Sequence, residues 1–230
     1  MRVLDTACGG GETTLLAARL VGATGYAVGV DRSHGALRTA RQIADLACVE
    51  NVEFRESDGE FEELFAGPPF DAVVGRNFLI HQGEPAVVLR KLSRLVRPGG
   101  LVAFLEQELD YGHHTEPAAG LVDQTVAWIQ AADRESGRQL HVVTSFPRLF
   151  LEAGLEWPKM RAYQAAWGSE AAGACETLAA RIDEMMPLVE RRRRLEMETA
   201  QLATRLSTEV KECGGAWVAA PTAGAWARVR

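Results

Sequence analysis

The chain has 230 residues, 47% of them apolar, and a formal net charge of −6. That is apolar material for one domain with an elaboration and a substantial core, and the acidic balance lacks the basic excess of a nucleic-acid-binding surface. No run of about 20 apolar residues is present to span a membrane, and the scattered cysteines Cys8, Cys48, Cys175 and Cys213 form no C-x-x-C pair, which points to reduced thiols in a cytoplasmic protein and away from a zinc site.

Val3–Asp5 reads as a short strand running into Thr6-Ala7-Cys8-Gly9-Gly10-Gly11. A strand that reverses into a helix within a few residues needs positions that tolerate positive φ and leave room for a ligand, and the three glycines supply both. A helix over about Thr13–Val21 follows, with Thr13 or Thr14 as its cap and its free amides aimed at whatever lies over the turn. A second strand, Tyr26–Asp31, ends on an acid. The helix after it, about His34–Ala47, carries Leu37, Ala40, Ile43, Ala44 and Ala47 at helical spacing. A third strand, Val52–Arg55, precedes Ser57-Asp58-Gly59, and a fourth, Phe70–Gly75, precedes Arg76-Asn77. A helix over about Pro85–Val96 stops at Arg97-Pro98-Gly99-Gly100, and a fifth strand spans Leu101–Glu106. This alternation implies right-handed crossovers and a largely parallel sheet, with ligands outside the carboxyl ends of the strands. Further on, Val122, Val126, Trp128, Ile129 and Ala132 form an apolar helical stripe. A strand is predicted over about Lys159–Trp167, a helical excursion over about 170–211 and a last strand over about Ala225–Arg228. Leu188, Leu195 and Leu202, continued by Leu206 and Val210, fit two packed helices or a homodimer contact. Arg191–Arg194 read as a solvated, salt-bridged face or as a site for an anionic partner.

The dinucleotide fingerprint G-x-G-x-x-G fails at the first turn: counted from Gly9 its third position is Thr14, and counted from Ala7 it is Glu12. This opposes a nicotinamide oxidoreductase. The pattern that fits is Asp5-x-Ala7-x-Gly9-x-Gly11. The stretch Val3–Gly11 resembles motif I of the class I S-adenosylmethionine-dependent methyltransferases, with Ala7 in place of the usual first glycine. In family order, Gly29-Val30-Asp31-Arg32-Ser33 is similar to motif II, Ser57-Asp58-Gly59 to motif III, Phe70-Asp71-Ala72-Val73-Val74 to motif IV and Arg97-Pro98-Gly99-Gly100-Leu101 to the lead-in to the fifth strand. The resemblance covers roughly residues 2–106. More loosely, 110–155 resembles the quinone-biosynthesis C-methyltransferases, including a helix over Phe146–Leu155 that ends at Gly154.

The resemblance implies an α/β, Rossmann-like fold: a seven-stranded, mostly parallel sheet flanked by helices, its last strand antiparallel beside the fifth, with helical insertions. It implies one methyltransferase domain over 1–230, divided into a cofactor-binding core (1–106), a lid-like insertion (107–144) and a sheet completion (145–230). The cofactor is S-adenosyl-L-methionine, leaving as S-adenosyl-L-homocysteine. Asp31 would take both ribose hydroxyls or serve the next helix as a cap, a task open to Ser33 as well. Asp58 would accept from the adenine amine or stand as a loop acid. Asp5 would hold the cofactor's amino group, directly or through water, or cap the turn. Ala7, Gly9, Gly11, Arg32, Gly59, Arg76, Asn77 and His81 complete the expected lining.

Gly67-Pro68-Pro69-Phe70 looks like the D/N-P-P-Y/F loop of nitrogen methyltransferases, but it precedes the fourth strand, and Arg76-Asn77-Phe78-Leu79 stands where that loop belongs. With the acidic balance, this argues against base methylation in nucleic acid. The predicted acceptor is a small molecule, of secondary metabolism or quinone-like, methylated at oxygen or carbon in preference to nitrogen. Methyl transfer needs chiefly alignment and, for some acceptors, a base. Glu106, Glu108, His81 and above all the pair His113-His114 are candidates, with solvent-exposed loop histidines the plainer reading; no third ligand at a recognisable spacing makes the pair a metal site. The rival to an active enzyme is a catalytically silent subunit of the same fold. Only Met1 and Arg2 precede the first strand, so no leader is expected. The cover that helices before motif I give relatives would then fall to the Trp128 helix, the excursion near Arg191 or a second subunit, unless the start is truncated.

Overall fold

A computed structural model of the chain describes residues 1–59, 61, 67–109, 113–168, 170–189 and 199–230, and the side chains of these apart from 184, 186–189, 199 and 200. The elements are β1 (Arg2–Thr6), α1 (Glu12–Val21), β2 (Tyr26–Asp31), α2 (His34–Leu46), β3 (Val52–Glu56), β4 (Phe70–Arg76), a single 3-10 turn (Leu79–His81), α3 (Pro85–Ser93) and β5 (Val96–Gln107). They continue with β6 (His114–Glu116), α4 (Gly120–Glu135), α5 (Val142–Glu152), β7 (Lys159–Tyr163), β8 (Ala166–Trp167), α6 (Ala172–Val189), α7 (Thr199–Cys213), β9 (Ala216–Val218) and β10 (Thr222–Arg228).

Seven strands form one sheet in the order β3-β2-β1-β4-β5-β10-β7. β1 pairs in parallel with β2 and β4, β2 with β3 and β4 with β5. The near-continuous burial of β1 and β2 is that of strands covered on both faces. β10 runs antiparallel beside β5: Val229 exchanges backbone hydrogen bonds with Gly99 and Gly100 at the start of β5, while Pro221 accepts from Glu108 just past its end. The seven-stranded sheet and its antiparallel last strand are as the resemblance implies.

Tertiary contacts divide the chain into two compact units, 1–106 with 142–161 and 223–230, and 107–141 with 162–222. The first holds the sheet and two apolar clusters, one around Leu4, Phe70, Leu89, Phe104, Phe146 and Phe150, the other between α1, α2 and Phe54. In the second, α4, α6 and α7 pack around Val122, Ile182, Leu202, Leu206, Val210 and Trp217. Glu209 of α7 ties that bundle together by accepting from the first amides of α4, at Leu121 (2.9 Å) and Val122 (3.0 Å), where a helix leaves amides unpaired. A three-stranded sheet, β6-β9-β8, completes this unit. Leu202, Leu206 and Val210 of the sevenfold pattern are therefore packed between helices of one chain. Leu195 and Arg191–Arg194 lie outside the described residues, as does the side chain of Leu188.

Three expectations need correction. Neither Thr13 nor Thr14 caps α1: the helix starts at Glu12, its cap position is Gly11 at φ +84°, and no side chain caps it. The strand expected over 159–167 is two strands in two sheets, because β8 leaves the main sheet to pair with β9. The helix expected to reach Val96 ends at Ser93, and β5 already starts at Val96, running through Arg97-Pro98-Gly99-Gly100. That stretch bulges within β5, with Gly99 at φ +75°, and is held by backbone hydrogen bonds to Val229 at the end of β10, while the register against β4 shifts between Phe70 and Ala72.

Candidate active site

The carboxyl ends of β3, β2 and β1 lie side by side in the first unit, and the turn after β1 sits at this edge. Ala7, Gly9 and Gly11 take φ of +51°, +52° and +84°. Gly11 has no substitute on two grounds: its φ is left-handed, and a Cβ there would stand 2.9 Å from Ala40 and Phe54. Ala7 accepts the left-handed conformation with a methyl group, at a cost of roughly 1–2 kcal/mol. Gly9 and Gly10 have no atom within 4 Å of where a Cβ would be, so their backbone is open to a ligand.

Asp31 holds this turn. Its Oδ2 accepts from Gly9 N at 2.9 Å and its Oδ1 from Ser33 N at 2.8 Å, so one carboxylate latches the exit of β2 to the turn after β1. Each oxygen keeps a lone pair for a further donor. Ser33 caps α2, accepting from Ala36 N at 3.2 Å, which frees Asp31 from that task. The chain after β3 joins the same edge through Ser57 N donating to Asp31 O at 3.0 Å. Asp58 and Arg32 are exposed, and Gly59 takes φ +108°.

Asp5 is different in kind. It is 2% exposed, and its Oδ2 accepts from the Thr14 hydroxyl at 2.6 Å. Burial pushes its carboxyl up to about 7, against the pull of Thr14. Thr14 reaches it because β2 has Gly29 at the crossing, where a Cβ would stand 2.6 Å from the Thr14 hydroxyl. Cys8, buried beside these acids, has its thiol pushed up to about 12 by burial and then by the charges of Asp5 and Asp31, and is an inert packing group at neutral pH.

After β4, Arg76 donates to Glu12 at 3.3 Å on the surface, Asn77 adopts φ +49°, and His81 closes the 3-10 turn with its side chain exposed. Sequence reasoning missed what holds this loop. Glu106, fully buried at the end of β5, accepts from the amides of Phe78 (3.0 Å), Leu79 (2.9 Å) and Ile80 (3.3 Å). Its desolvation outweighs these bonds and raises the carboxyl to about 7.

The other candidate bases belong to the second unit. Glu108 is buried and faces Nδ1 of His141 at 3.3 Å. His113 is partly buried against Trp217, their ring centroids 5.5 Å apart; burial, then the charges of Arg181 and His114, push its imidazole down to about 4. His114 starts β6 with an exposed side chain. Asp110-Tyr111-Gly112, ahead of the pair, lies outside the described residues.

Residues 1–142 match a family described as methyltransferase domain. Demethylmenaquinone methyltransferase of Staphylococcus aureus (strain MRSA252) is 33% identical over 106 residues, 46% of this chain and 43% of its own length. Ubiquinone biosynthesis O-methyltransferase of Neisseria meningitidis (serogroup A) is 35% identical over 105 residues, 45% of this chain and 42% of its own. The chain thus spans less than half the length of these curated relatives. Among solved structures, the YcgJ protein of Bacillus subtilis superposes with a TM-score of 0.59 at 16% identity, covering 100% of this chain and 92% of that one. Phosphoethanolamine N-methyltransferase 2 of Haemonchus contortus, in complex with phosphomonomethylethanolamine and S-adenosylhomocysteine, gives 0.59 at 17% identity, over 99% of this chain and 48% of that one. At such identities the two structures show the fold. With more than half of its length matched to the family and the sheet in this order, the chain belongs to the class I S-adenosylmethionine-dependent methyltransferases.

Proposed function

We propose that the chain transfers a methyl group from S-adenosylmethionine to a small-molecule acceptor, at oxygen or carbon in preference to nitrogen. The observation that carries this reading is the Asp31 latch: a carboxylate at the end of β2, 2.9 Å from an amide of an open glycine turn, with acceptor capacity to spare. That geometry fits a ligand with vicinal hydroxyls on Asp31 and a linear chain along the turn. When bound, the cofactor supplies a methyl group on a sulfonium, already activated for in-line displacement.

The residues of this chain bind and orient. Asp31 takes the ribose hydroxyls, Asp58 the adenine amine, and the backbone of Gly9 and Gly10 lies along the rest, with Arg32, Gly59, Arg76, Asn77 and His81 around it. Asp5 has almost no exposed surface, so its part is to hold Thr14 and the turn. Alignment carries most of the rate in such a displacement. Where the acceptor must lose a proton, His113 and His114 are the candidate bases, His113 a weak one because its imidazole is pushed down to about 4. Preference for oxygen or carbon rests on Arg76-Asn77-Phe78-Leu79, which replaces a nitrogen-gripping loop after β4, and on the quinone-pathway names of the sequence relatives. The four cysteines are free, in keeping with a reducing, cytoplasmic setting, and among the described residues no helix is long and apolar enough to cross a membrane.

Calorimetry decides the cofactor: S-adenosylhomocysteine binds and NAD does not. Absence of S-adenosylhomocysteine binding would overturn the reading. Asp31→Ala weakens that binding by about 1–3 kcal/mol, the worth of hydrogen bonds to a charged group, and an unchanged affinity removes Asp31 from the ribose. Mass spectrometry of products from an acceptor panel separates an enzyme from a silent subunit, which binds cofactor and methylates nothing.

A further inference from the structure

The second unit contains a small cavity of about 30 Å³. Gln107, His113, Gln130, Asp133 and Arg181 line it together with as many apolar residues, Ile129 and Leu178 among them. All of these belong to the second unit, and none has a part in the cofactor cradle.

The charges are arranged unusually for an interior. Asp133, 1% exposed, accepts at one oxygen from two guanidinium groups, Arg138 Nη1 at 2.6 Å and Arg181 Nη2 at 2.9 Å. One cation is enough to balance the charge of a buried carboxylate, whatever further hydrogen bonds its lone pairs need. Here Arg138 is that cation, so Arg181, itself on the cavity wall, brings a second positive charge and spends a single donor on Asp133. A guanidinium has five donors in a fixed fork. His113, on the same wall, has its Nδ1 buried with no hydrogen-bond partner among the described residues, and the indole nitrogens of Trp128 and Trp217 in this unit are in the same condition. Native proteins leave few buried polar atoms unpaired, and those they leave ask for a reason. The cavity is large enough for one or two waters or for one small polar group, and among the described residues that line it the one anion, Asp133, is already matched by cations. What these described residues do not supply is a further acceptor for the donors around it.

We propose that this cavity is a subsite for the carboxylate of a small organic acid, with Arg181 as the counter-charge and the Nδ1–H of His113 and the amide of Gln130 as further donors. The fork of Arg181 suits a planar carboxylate, and a cavity of about 30 Å³ suits it better than a tetrahedral phosphate. The proposal goes beyond the methyl-transfer reading and does not depend on it, since it concerns binding by the second unit.

The test is calorimetric titration of the intact protein with benzoate and acetate, and with inorganic phosphate for comparison, at low salt and without cofactor. Benzoate is expected to bind saturably with a Kd of about 1 mM and phosphate not to bind. Arg181→Met should weaken benzoate about tenfold or more, the loss of a charged hydrogen bond, and added salt should weaken it in the wild type. His113→Phe and Gln130→Leu leave the Asp133 cluster in place and should each weaken it several-fold, so the proposal stays testable if Arg181→Met misfolds, which circular dichroism reports. Saturable benzoate binding lost in these variants supports the subsite. No carboxylate binding up to about 50 mM, binding unchanged in all folded variants, or tighter binding of phosphate overturns it. Incubating each bound acid with S-adenosylmethionine then tells the source: a methylated acid is the acceptor's own carboxylate, and an acid recovered unchanged is a separate effector. Failure of methyl transfer leaves the binding result standing.

Discussion

Burial at 2% exposure raises the Asp5 carboxyl from its ordinary 3.8 to about 7; the Thr14 hydroxyl pulls the other way and loses. A native value above the unfolded one means that the folded state holds the proton more tightly. The stability this group contributes is therefore fully present below about pH 3.8, declines as pH rises and is gone above about pH 7. Asp5→Asn keeps a carbonyl acceptor for Thr14 and carries no charge to desolvate. The variant should match the wild type near pH 4 and be the more stable one near pH 8, by at most about 4 kcal/mol. Urea denaturation of both proteins across that range measures this. Glu106, also raised to about 7, titrates in both proteins and cancels in the difference. A stability difference independent of pH would show that Asp5 ionises normally. Asp5 was visible in the sequence as a strand-end acid, but its burial was not: that depends on Thr14 crossing over Gly29, a contact between separate elements that no local pattern encodes.

The loop after β4 has its shape imposed from β5. Three consecutive amides, Phe78 to Ile80, end on one buried carboxylate, as they would on a cap at the start of a helix. Glu106→Ala leaves all three without an acceptor and should cost about 3 kcal/mol or more. Glu106→Gln keeps the Oε1 acceptor of Phe78 and Leu79 and should cost less. Chemical denaturation ranks the two, and hydrogen exchange at 78–80 localises the loss; equal costs would show that charge, not acceptor geometry, holds the loop. The signal for this role was present in the sequence. Buried and less buried positions alternate along β5, with Val102, Phe104 and Glu106 all inward, so period-two counting puts the acid inside the fold. Its place at a strand end suggested a base instead. Parallel strands, the glycine turn and the order of acids were legible because each rests on local spacing. β6, β8 and β9, two or three residues each, are too short to show a period, and only their mutual pairing makes them strands.

The chain leaves the first unit twice and returns twice, yet among the described residues each of the three clusters of buried apolar side chains belongs to one unit. Separate cores predict separate opening, since cooperative units follow contiguous packing. Leu206 of α7 is fully buried in the core of the second unit, and Leu206→Ala should cost about 2–5 kcal/mol there. If the units open independently, hydrogen exchange accelerates in α4, α6, α7 and β9, while the amides of β1 and β4 keep their protection. S-adenosylhomocysteine affinity should then hold as well, since the proposed cofactor residues all lie in the first unit. Val73→Ala, which opens a cavity at a fully buried position of β4, should produce the reverse pattern, with faster exchange in the sheet and loss of cofactor affinity. Matching losses across both units in either variant would mean that they fold as one cooperative body, and that a subsite in the second unit is energetically bound to the cofactor cradle in the first. Independent opening would instead leave carboxylate binding and cofactor binding as two separable properties of one chain, each removable without the other.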